Sequence, residues 1–314
     1  GASTAFCRSG GLAMLSVLVS LAALVPSPRP GSGLAPAPRV VFTDCDGTML
    51  QPDHTLSPAV SAMLHTLHSR GVRVVPSTGR ARAGPWTESV LAAHPVLQRG
   101  SPGVYINGCS AFTEDGQALV STYLPEAVVE RVLRWWRTRA EAAGSGLVAY
   151  VGDETLHVPG QRPASEAALV AALGALGDSP PRAVTELPTA EVFKMILLCG
   201  DDAAARQWRP LLPPLLAGGA ALTQAIPGYL EIVPEGVTKG TACGALLARW
   251  GLSWPEALAI GDGTNDLSML REAGTSVAMG NAAEGVRAEA QYVVGTNAED
   301  GWVDAMQRYV LDRL

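Results

Sequence analysis

No run of lysine and arginine occurs anywhere in this sequence, and charged residues of both signs make up only 17% of it. With a formal net charge of −6, the chain lacks the clustered cations that neutralise a nucleic-acid backbone, so no nucleic-acid partner is expected. Cysteine is scarce too. Cys7, Cys45, Cys109, Cys199 and Cys243 are scattered, odd in number and free of any C-x-x-C pair, which argues against a disulfide framework or a zinc site. Each reads as a small buried hydrophobe. Internal repeats are absent. So is any apolar run long enough to cross a bilayer comfortably: the longest, Gly11 to Val25, is too short, which leaves no stable membrane span expected in the mature protein.

That apolar run follows Arg8 and resembles the hydrophobic region of a signal peptide. The stretch after it carries Arg29, Arg39 and several Pro, Ser and Ala with no acidic residue, a composition compatible with a transit segment. Residues 1–38 are therefore read as a targeting leader, removed or without fixed structure. A plastid address is expected from this composition, with a secretory or cytoplasmic location as the alternative.

The remainder has ample material for a core, since 47% of the residues are hydrophobic. At 314 residues the chain suits two modest domains. From Arg39 onward, strands and helices alternate. Val40 to Thr43 is a short apolar strand, Pro58 to Arg70 a helix with Pro in its first turn and Gly71 past its end, and Val72 to Val75 a second strand. The rhythm returns near the C-terminus. Lys239–Trp250, Asp266–Ala273 and Gly301–Leu314 read as helices, and Ala257–Ile260 and Thr275–Met279 as strands. This pattern predicts an α/β fold, a doubly wound parallel sheet of Rossmann-like type. In between, the texture is α+β. A long helix is expected over Glu126–Ala143, shorter ones over Ser165–Leu176 and Ala203–Leu216, and strands over Leu147–Val151, Val192–Cys199 and Leu230–Val233. The reading is a core of residues 39–111 and 233–314 with an inserted cap, 112–232.

Four polar clusters fall at strand ends or helix starts of the expected core, and ligands of open α/β sheets bind at the carboxyl ends of strands. Asp44-Cys45-Asp46-Gly47-Thr48 places two carboxylates directly after a strand, where one can attack phosphorus and the other can move a proton. On its own such a cluster is equally a plain turn. Ser77-Thr78-Gly79-Arg80 offers a hydroxyl and a glycine amide suited to cradle phosphate, or simply a helix cap. Thr238-Lys239-Gly240 puts a lysine at the positive end of a helix, an unfavourable position unless an anion faces it. Gly261-Asp262-Gly263-Thr264-Asn265-Asp266 brings a carboxylate of the kind that holds Mg²⁺ together with phosphate and water.

In this order and spacing the four clusters resemble the haloacid dehalogenase superfamily, and within it the Cof-type phosphatases with a large cap inserted after the second motif. Ile106-Asn107-Gly108, the run Gln224 to Lys239, Gly280-Asn281-Ala282 and Glu299-Asp300-Gly301 add to the likeness. The run from Gln224 is similar to plant and algal plastid members. The resemblance covers nearly everything from Arg39 to Leu314 and implies a Mg²⁺-dependent hydrolase of phosphate monoesters. Asp44 would be the nucleophile and a metal ligand. Asp46 would be the general acid and base, ligating metal through its backbone carbonyl. The loop at Cys45, Thr78 with Gly79, and Asn265 would bind the substrate phosphate. Lys239 would neutralise nucleophile and phosphate, Asp262 would ligate Mg²⁺, and Asp266 would orient Lys239. Two departures are mild: Cys45 stands where an aliphatic residue is usual, and Met49-Leu50 replaces the commoner Leu-Leu. The expected partner is a small phosphorylated metabolite such as a sugar or ribityl phosphate. A sugar phosphomutase and a non-catalytic phosphometabolite-binding protein are the alternatives. His54, His65, His68, His94 and His157 lack metal-ligand spacing. Trp136 reads as core, and Asp201-Asp202 as a turn with a helix cap.

Overall fold

Val40–Thr43 (β1) is buried along its whole length, as a strand covered on both sheet faces must be. It leads to the first helix, Pro58–Ser69 (α1), which starts where Ser57 Oγ accepts from the Val60 amide at 3.1 Å and Pro58 fills the first turn. Gly71, at φ 75°, supplies the left-handed residue that turns the chain into Arg73–Pro76 (β2). The computed structural model describes residues 36–82, 90, 94, 96–97, 101–140, 145–158, 171, 173–174, 181–199, 201–224 and 228–314. The leader, apart from residues 36–38, and the helix expected over Ser165–Leu176, apart from Ala171, Leu173 and Gly174, lie outside these residues.

Three short antiparallel strands follow: Gly103–Tyr105 (β3), Ser110–Phe112 (β4) and Ala118–Ser121 (β5). Helix Glu126–Trp135 (α2) buries Val128, Val129, Val132 and Leu133, which share one face at helical spacing. The regular helix is shorter than expected, because the chain widens into a looser turn at Trp136–Ala140. Next come Gly146–Val151 (β6), Glu154–His157 (β7), Arg182–Ala183 (β8) and Val192–Leu198 (β9). The single helix expected over Ala203–Leu216 is instead two, Asp202–Trp208 (α3) and Pro213–Leu216 (α4). Pro210 and Pro213 each remove an amide donor there, which explains the break. Asp201 caps α3, as read from the sequence, accepting from the Ala204 amide at 2.8 Å. Ala220–Thr223 (β10) and Tyr229–Pro234 (β11) return the chain to helix Lys239–Trp250 (α5). The C-terminal part holds Ala257–Gly261 (β12), Leu267–Glu272 (α6), Thr275–Ala278 (β13), Glu284–Arg287 (α7), Tyr292–Val293 (β14) and Gly301–Tyr309 (α8).

Two main sheets result. The first runs β14-β13-β12-β1-β2 with every pair parallel, and a bridge between Ser77 and Val104 extends it toward β3. This is the doubly wound core expected from the alternating pattern. Because β1 is flanked by β2 on one side and β12 on the other, the sheet has its switch point at β1, and a crevice opens at the carboxyl ends of these three strands. The second sheet runs β10-β11-β9-β6-β7-β8, antiparallel except for β7 with β8. Its strands alternate. Leu147, Ala149, Met195, Leu197, Leu230 and Ile232 pack with α2, α3 and α4, while Val148, Tyr150, Ile196 and Leu198 join the core cluster that includes Cys45 and Ile260. Among the described residues, no helix is long and apolar enough to cross a membrane.

The four described cysteines are buried and unpaired by disulfides, matching the reading of small hydrophobes. Burial pushes the Cys109 and Cys243 thiols up to about 12. An unfolded thiol titrates near ~8.5, so above that pH the unfolded chain releases protons that the folded chain keeps. Stability is fully present below about pH 8.5 and declines as pH rises toward the folded values, by at most about 1.4 kcal/mol per pH unit for each thiol. In a Cys7→Ser variant, melting temperature is expected to fall between about pH 8.5 and 11 while the four thiols resist a disulfide reagent at neutral pH. Rapid native-state labelling, or a flat melting profile, would contradict this.

Candidate active site

The carboxyl end of β1 delivers Asp44, whose amide is fixed by the Ile260 carbonyl of β12 at 3.0 Å. Past Asp44 the chain must leave the sheet at once, and it does so through Gly47 at φ 73°. A Cβ at Gly47 would stand 2.3 Å from Asp262 Oδ2, so glycine is required both by conformation and by the approach of that carboxylate. Thr48 then donates its hydroxyl to Asp262 Oδ1 at 3.0 Å. The loops after β1 and β12 are in this way tied together across 214 residues of chain.

Lys239 occupies the first turn of α5, a helix started by Thr238, whose Oγ1 accepts from the Thr241 amide at 3.1 Å. Its side chain is fully buried, and its ammonium lies 2.6 Å from Asp44 Oδ1 and 2.7 Å from Asp266 Oδ1. The anionic partner expected from a lysine at a helix N-terminus is thus supplied by two aspartates. Burial alone would depress the Lys239 ammonium, but the Asp266 and Asp44 carboxylates outweigh it and hold the group well above its ordinary range. Asp44 is held well above the usual carboxylate range, chiefly by burial and further by Asp266 and Asp262, against the pull of Lys239. Asp262 is raised for the same reasons, burial first and Asp266 second.

Asp44, Asp262 and Asp266 each place a carboxylate oxygen within 4.8 Å of the others. Asp266 spends both of its oxygens on protein: Oδ1 on Lys239, and Oδ2 on the amides of Asp262 and Gly263 at 3.0 and 2.9 Å. It positions the lysine and the loop. Asp44 and Asp262 are left as the carboxylates able to ligate a divalent cation. The donor set fits such an ion, since Mg²⁺ is commonly held by one or two carboxylates together with water and phosphate oxygens. Asn281 braces Asp262 and the loop after β1, its Nδ2 donating to the Gly47 carbonyl at 2.8 Å and to Asp262 Oδ2 at 3.2 Å.

Thr78 and Gly79 follow β2. Thr78 is buried, its amide donating to the Val104 carbonyl at 2.9 Å and its Oγ1 accepting from the Arg80 amide at 3.1 Å. Asn265 reaches them indirectly, donating through Nδ2 to Asn107 Oδ1 at 3.0 Å, while the Asn107 amide bonds the Thr78 carbonyl at 3.0 Å. Ile106 and Asn107 both hold positive φ, 52° and 55°, and for a β-branched isoleucine that is a strained conformation maintained by the surrounding bonds. The Cys45 side chain is buried in the core cluster, so only its backbone is available to a ligand.

Asp46 is held by two side chains from outside its own cluster. Arg80 grips its carboxylate with Nε on Oδ2 at 2.7 Å and a second nitrogen on Oδ1, and His54 Nδ1 approaches Oδ1 at 2.8 Å. Neither Arg80 nor His54 was placed in the site from sequence. Arg80 had a signal, since it adjoins Thr78-Gly79, but His54 lies in a turn with no pattern to distinguish it. Asp300, from the Glu299-Asp300-Gly301 piece, proves structural: at φ 53° it heads α8 and accepts from Ser57 Oγ at 2.6 Å.

At its switch point the parallel sheet thus carries a buried lysine between two aspartates with a third carboxylate alongside, an arrangement able to gather a cation and an anionic group at one place. Comparison with known proteins agrees. The family model of the haloacid dehalogenase-like hydrolases matches residues 41–306. The chain belongs to that family. An HMP-PP phosphatase from Cronobacter sakazakii is 30% identical over 251 residues, covering 78% of this chain and 85% of the relative. A chloroplastic protein of Arabidopsis thaliana named endoribonuclease YBEY is 28% identical over 86% of this chain, which spans only 46% of that relative's length. Among solved structures, a haloacid dehalogenase-like hydrolase from Bacteroides thetaiotaomicron superposes with a TM-score of 0.74 at 28% identity, covering 86% of this chain and 99% of the other. A subclass IIB sugar phosphatase shares the fold with a TM-score of 0.72 at 22% identity, over 86% of this chain and 98% of the other.

Proposed function

We propose that this protein is a Mg²⁺-dependent phosphomonoester hydrolase that works through an aspartyl-phosphate on Asp44. The observation that carries the reading is Lys239, buried between Asp44 and Asp266 and thereby joining three motifs from distant parts of the chain. A bound cation, held by Asp44, Asp262 and the Asp46 carbonyl, would offset charge between an anionic nucleophile and an anionic phosphate. The protein's own groups do the rest. An Asp44 oxygen forms a bond to phosphorus as the ester oxygen departs, and Asp46 gives that oxygen its proton. Asp46 then takes a proton from water as the water oxygen bonds phosphorus and the Asp44–phosphorus bond breaks, returning inorganic phosphate. Thr78, the Gly79 amide, the Cys45 backbone and Asn265 hold the transferring group, and Lys239 neutralises charge as it accumulates. Arg80 and His54 fix where the Asp46 carboxylate stands.

Residues 112–232 act, in this reading, as a cap inserted into the core of residues 39–111 and 233–314. The cap excludes bulk water and macromolecular substrates, so the substrate is a small phosphorylated metabolite. The HMP-PP phosphatase relatives support that size class. A plastid location is supported by the chloroplastic relative and by the leader's composition. Treatment with EDTA is expected to abolish phosphate release from p-nitrophenyl phosphate, and added Mg²⁺ to restore it and to raise the melting temperature. Full activity in metal-free enzyme would overturn the reading.

A further inference from the structure

The antiparallel sheet turns one face toward its own helices and the other toward the core, and the second face carries two charges among apolar residues. Lys194 of β9 lies opposite Tyr150 of β6, and Glu231 of β11 lies opposite Ile196 of β9. Both side chains are more than nine-tenths buried. Such a pair is a weak stabilising device, because two buried charges gain little over apolar residues of similar volume. Glu231 Oε2 stands 3.4 Å from the Lys194 ammonium yet makes no hydrogen bond, so it supplies counter-charge alone. The ammonium donates instead to the carbonyl of Gly79, also at 3.4 Å, and lies 4.4 Å from the centre of the Tyr150 ring.

Gly79 is the middle residue of the Thr78-Gly79-Arg80 turn, and each of the three carbonyls in that turn has its own donor. The Asn107 amide bonds the Thr78 carbonyl at 3.0 Å and the Ile106 amide bonds the Arg80 carbonyl at 3.0 Å, both from the segment that follows β3. The Gly79 carbonyl is held from the other sheet, by Lys194. The same peptide group ends in the Arg80 amide, which donates to Thr78 Oγ1 at 3.1 Å. A peptide group is rigid and planar, so fixing its carbonyl fixes the direction of its N–H. The Thr78 hydroxyl has one proton to give and lone pairs with which to receive. Occupied as an acceptor by the Arg80 amide, it must aim its own proton elsewhere. In the phosphatase reading that direction is the transferring phosphate.

We propose that Lys194 is a positioning residue for the phosphate loop: through the Gly79–Arg80 peptide it sets the orientation of the Thr78 hydroxyl, and Glu231 holds the ammonium in place as its counter-charge. The pair acts through the loop and not on the substrate. This role rests on the phosphatase reading and deepens it, since it makes phosphate binding in the core depend on a side chain of the second sheet.

The test is a double-mutant cycle in kcat/KM on p-nitrophenyl phosphate. Lys194→Met together with Glu231→Leu removes both charges at similar volume, and Thr78→Val removes the hydroxyl at nearly constant shape. In the wild-type background the paired substitution is expected to lower kcat/KM by about tenfold or more, the loss of one aligned hydrogen bond to a charged group. In the Thr78→Val background the same pair is expected to change it by less than about twofold, because the group it acts on is gone. A merely structural role would lower both backgrounds alike. Equal falls in the two, or no fall in the first, overturn the proposal. If the apolar pair does not fold, Lys194→Gln with Glu231→Gln takes its place in the same cycle. Those amides can bond each other, but glutamine is one atom shorter than lysine and falls short of the Gly79 carbonyl. Failure of the underlying reading is separately visible, because Asp44→Asn would then still release phosphate from p-nitrophenyl phosphate.

Discussion

An Asp44→Asn enzyme is expected to lose hydrolysis of p-nitrophenyl phosphate by a factor on the order of a thousand or more, while keeping a cooperative thermal transition. The amide is nearly isosteric with the carboxylate but cannot form the phosphoester. The fold should survive because the change removes one buried charge from a cluster with more carboxylates than cations. Lys239 keeps Asp266 at 2.7 Å, and the backbone of Asp44 remains fixed by Ile260. Phosphate release and a melting curve on the same preparation check both halves. Turnover at the wild-type rate would remove Asp44 from the mechanism.

Lys239→Met is expected to fail differently, losing both activity and stability. Methionine matches the stem of the lysine but not its charge, leaving Asp44 and Asp266 buried, close together and without a cation. Breaking a buried ion pair by deleting one partner typically costs about 3–5 kcal/mol, because the remaining charges keep their desolvation penalty. Without the ammonium the Asp44 carboxyl is held still further above its usual range, so the buried cluster takes up a proton more readily and the variant becomes relatively more stable as pH falls. Denaturant unfolding at about pH 5 and 8 measures this: the deficit against wild type should be smaller at the lower pH. Adding Asp44→Asn to Lys239→Met should recover part of the stability and none of the activity. A Lys239→Met enzyme as stable as wild type would contradict the buried geometry.

Much of this centre was legible as sequence because its groups sit where local rules are strict. Asp44 ends an apolar strand, Gly47 turns at positive φ against Asp262, and Lys239 opens a helix that Thr238 caps. Other elements were not legible, each for a physical reason. The three strands β3, β4 and β5 are three or four residues long, too short for a period of two to stand out. The break between α3 and α4 was announced by Pro210 and Pro213, a local signal that apolar spacing overrode. His54 and Arg80 acquire their roles only through Asp46, separated from them by 8 and 34 residues. Lys194 and Glu231 were the least visible, since a charged residue in a strand reads as solvent-facing until the face opposite it is known.

The sequence by itself determined the strand order of chemistry: which carboxylates follow which strands, which lysine starts a helix, and hence which family the chain joins. These follow from strand ends, turns and caps, interactions that span only a few residues. Tertiary structure alone decided which charges meet: that Asp266 spends its oxygens on Lys239 and two amides, that Arg80 and His54 hold Asp46, and that Lys194 of the second sheet reaches the Gly79 carbonyl. Electrostatic and hydrogen-bond energies depend on distance in space and on burial, and neither quantity is written in the linear order of residues.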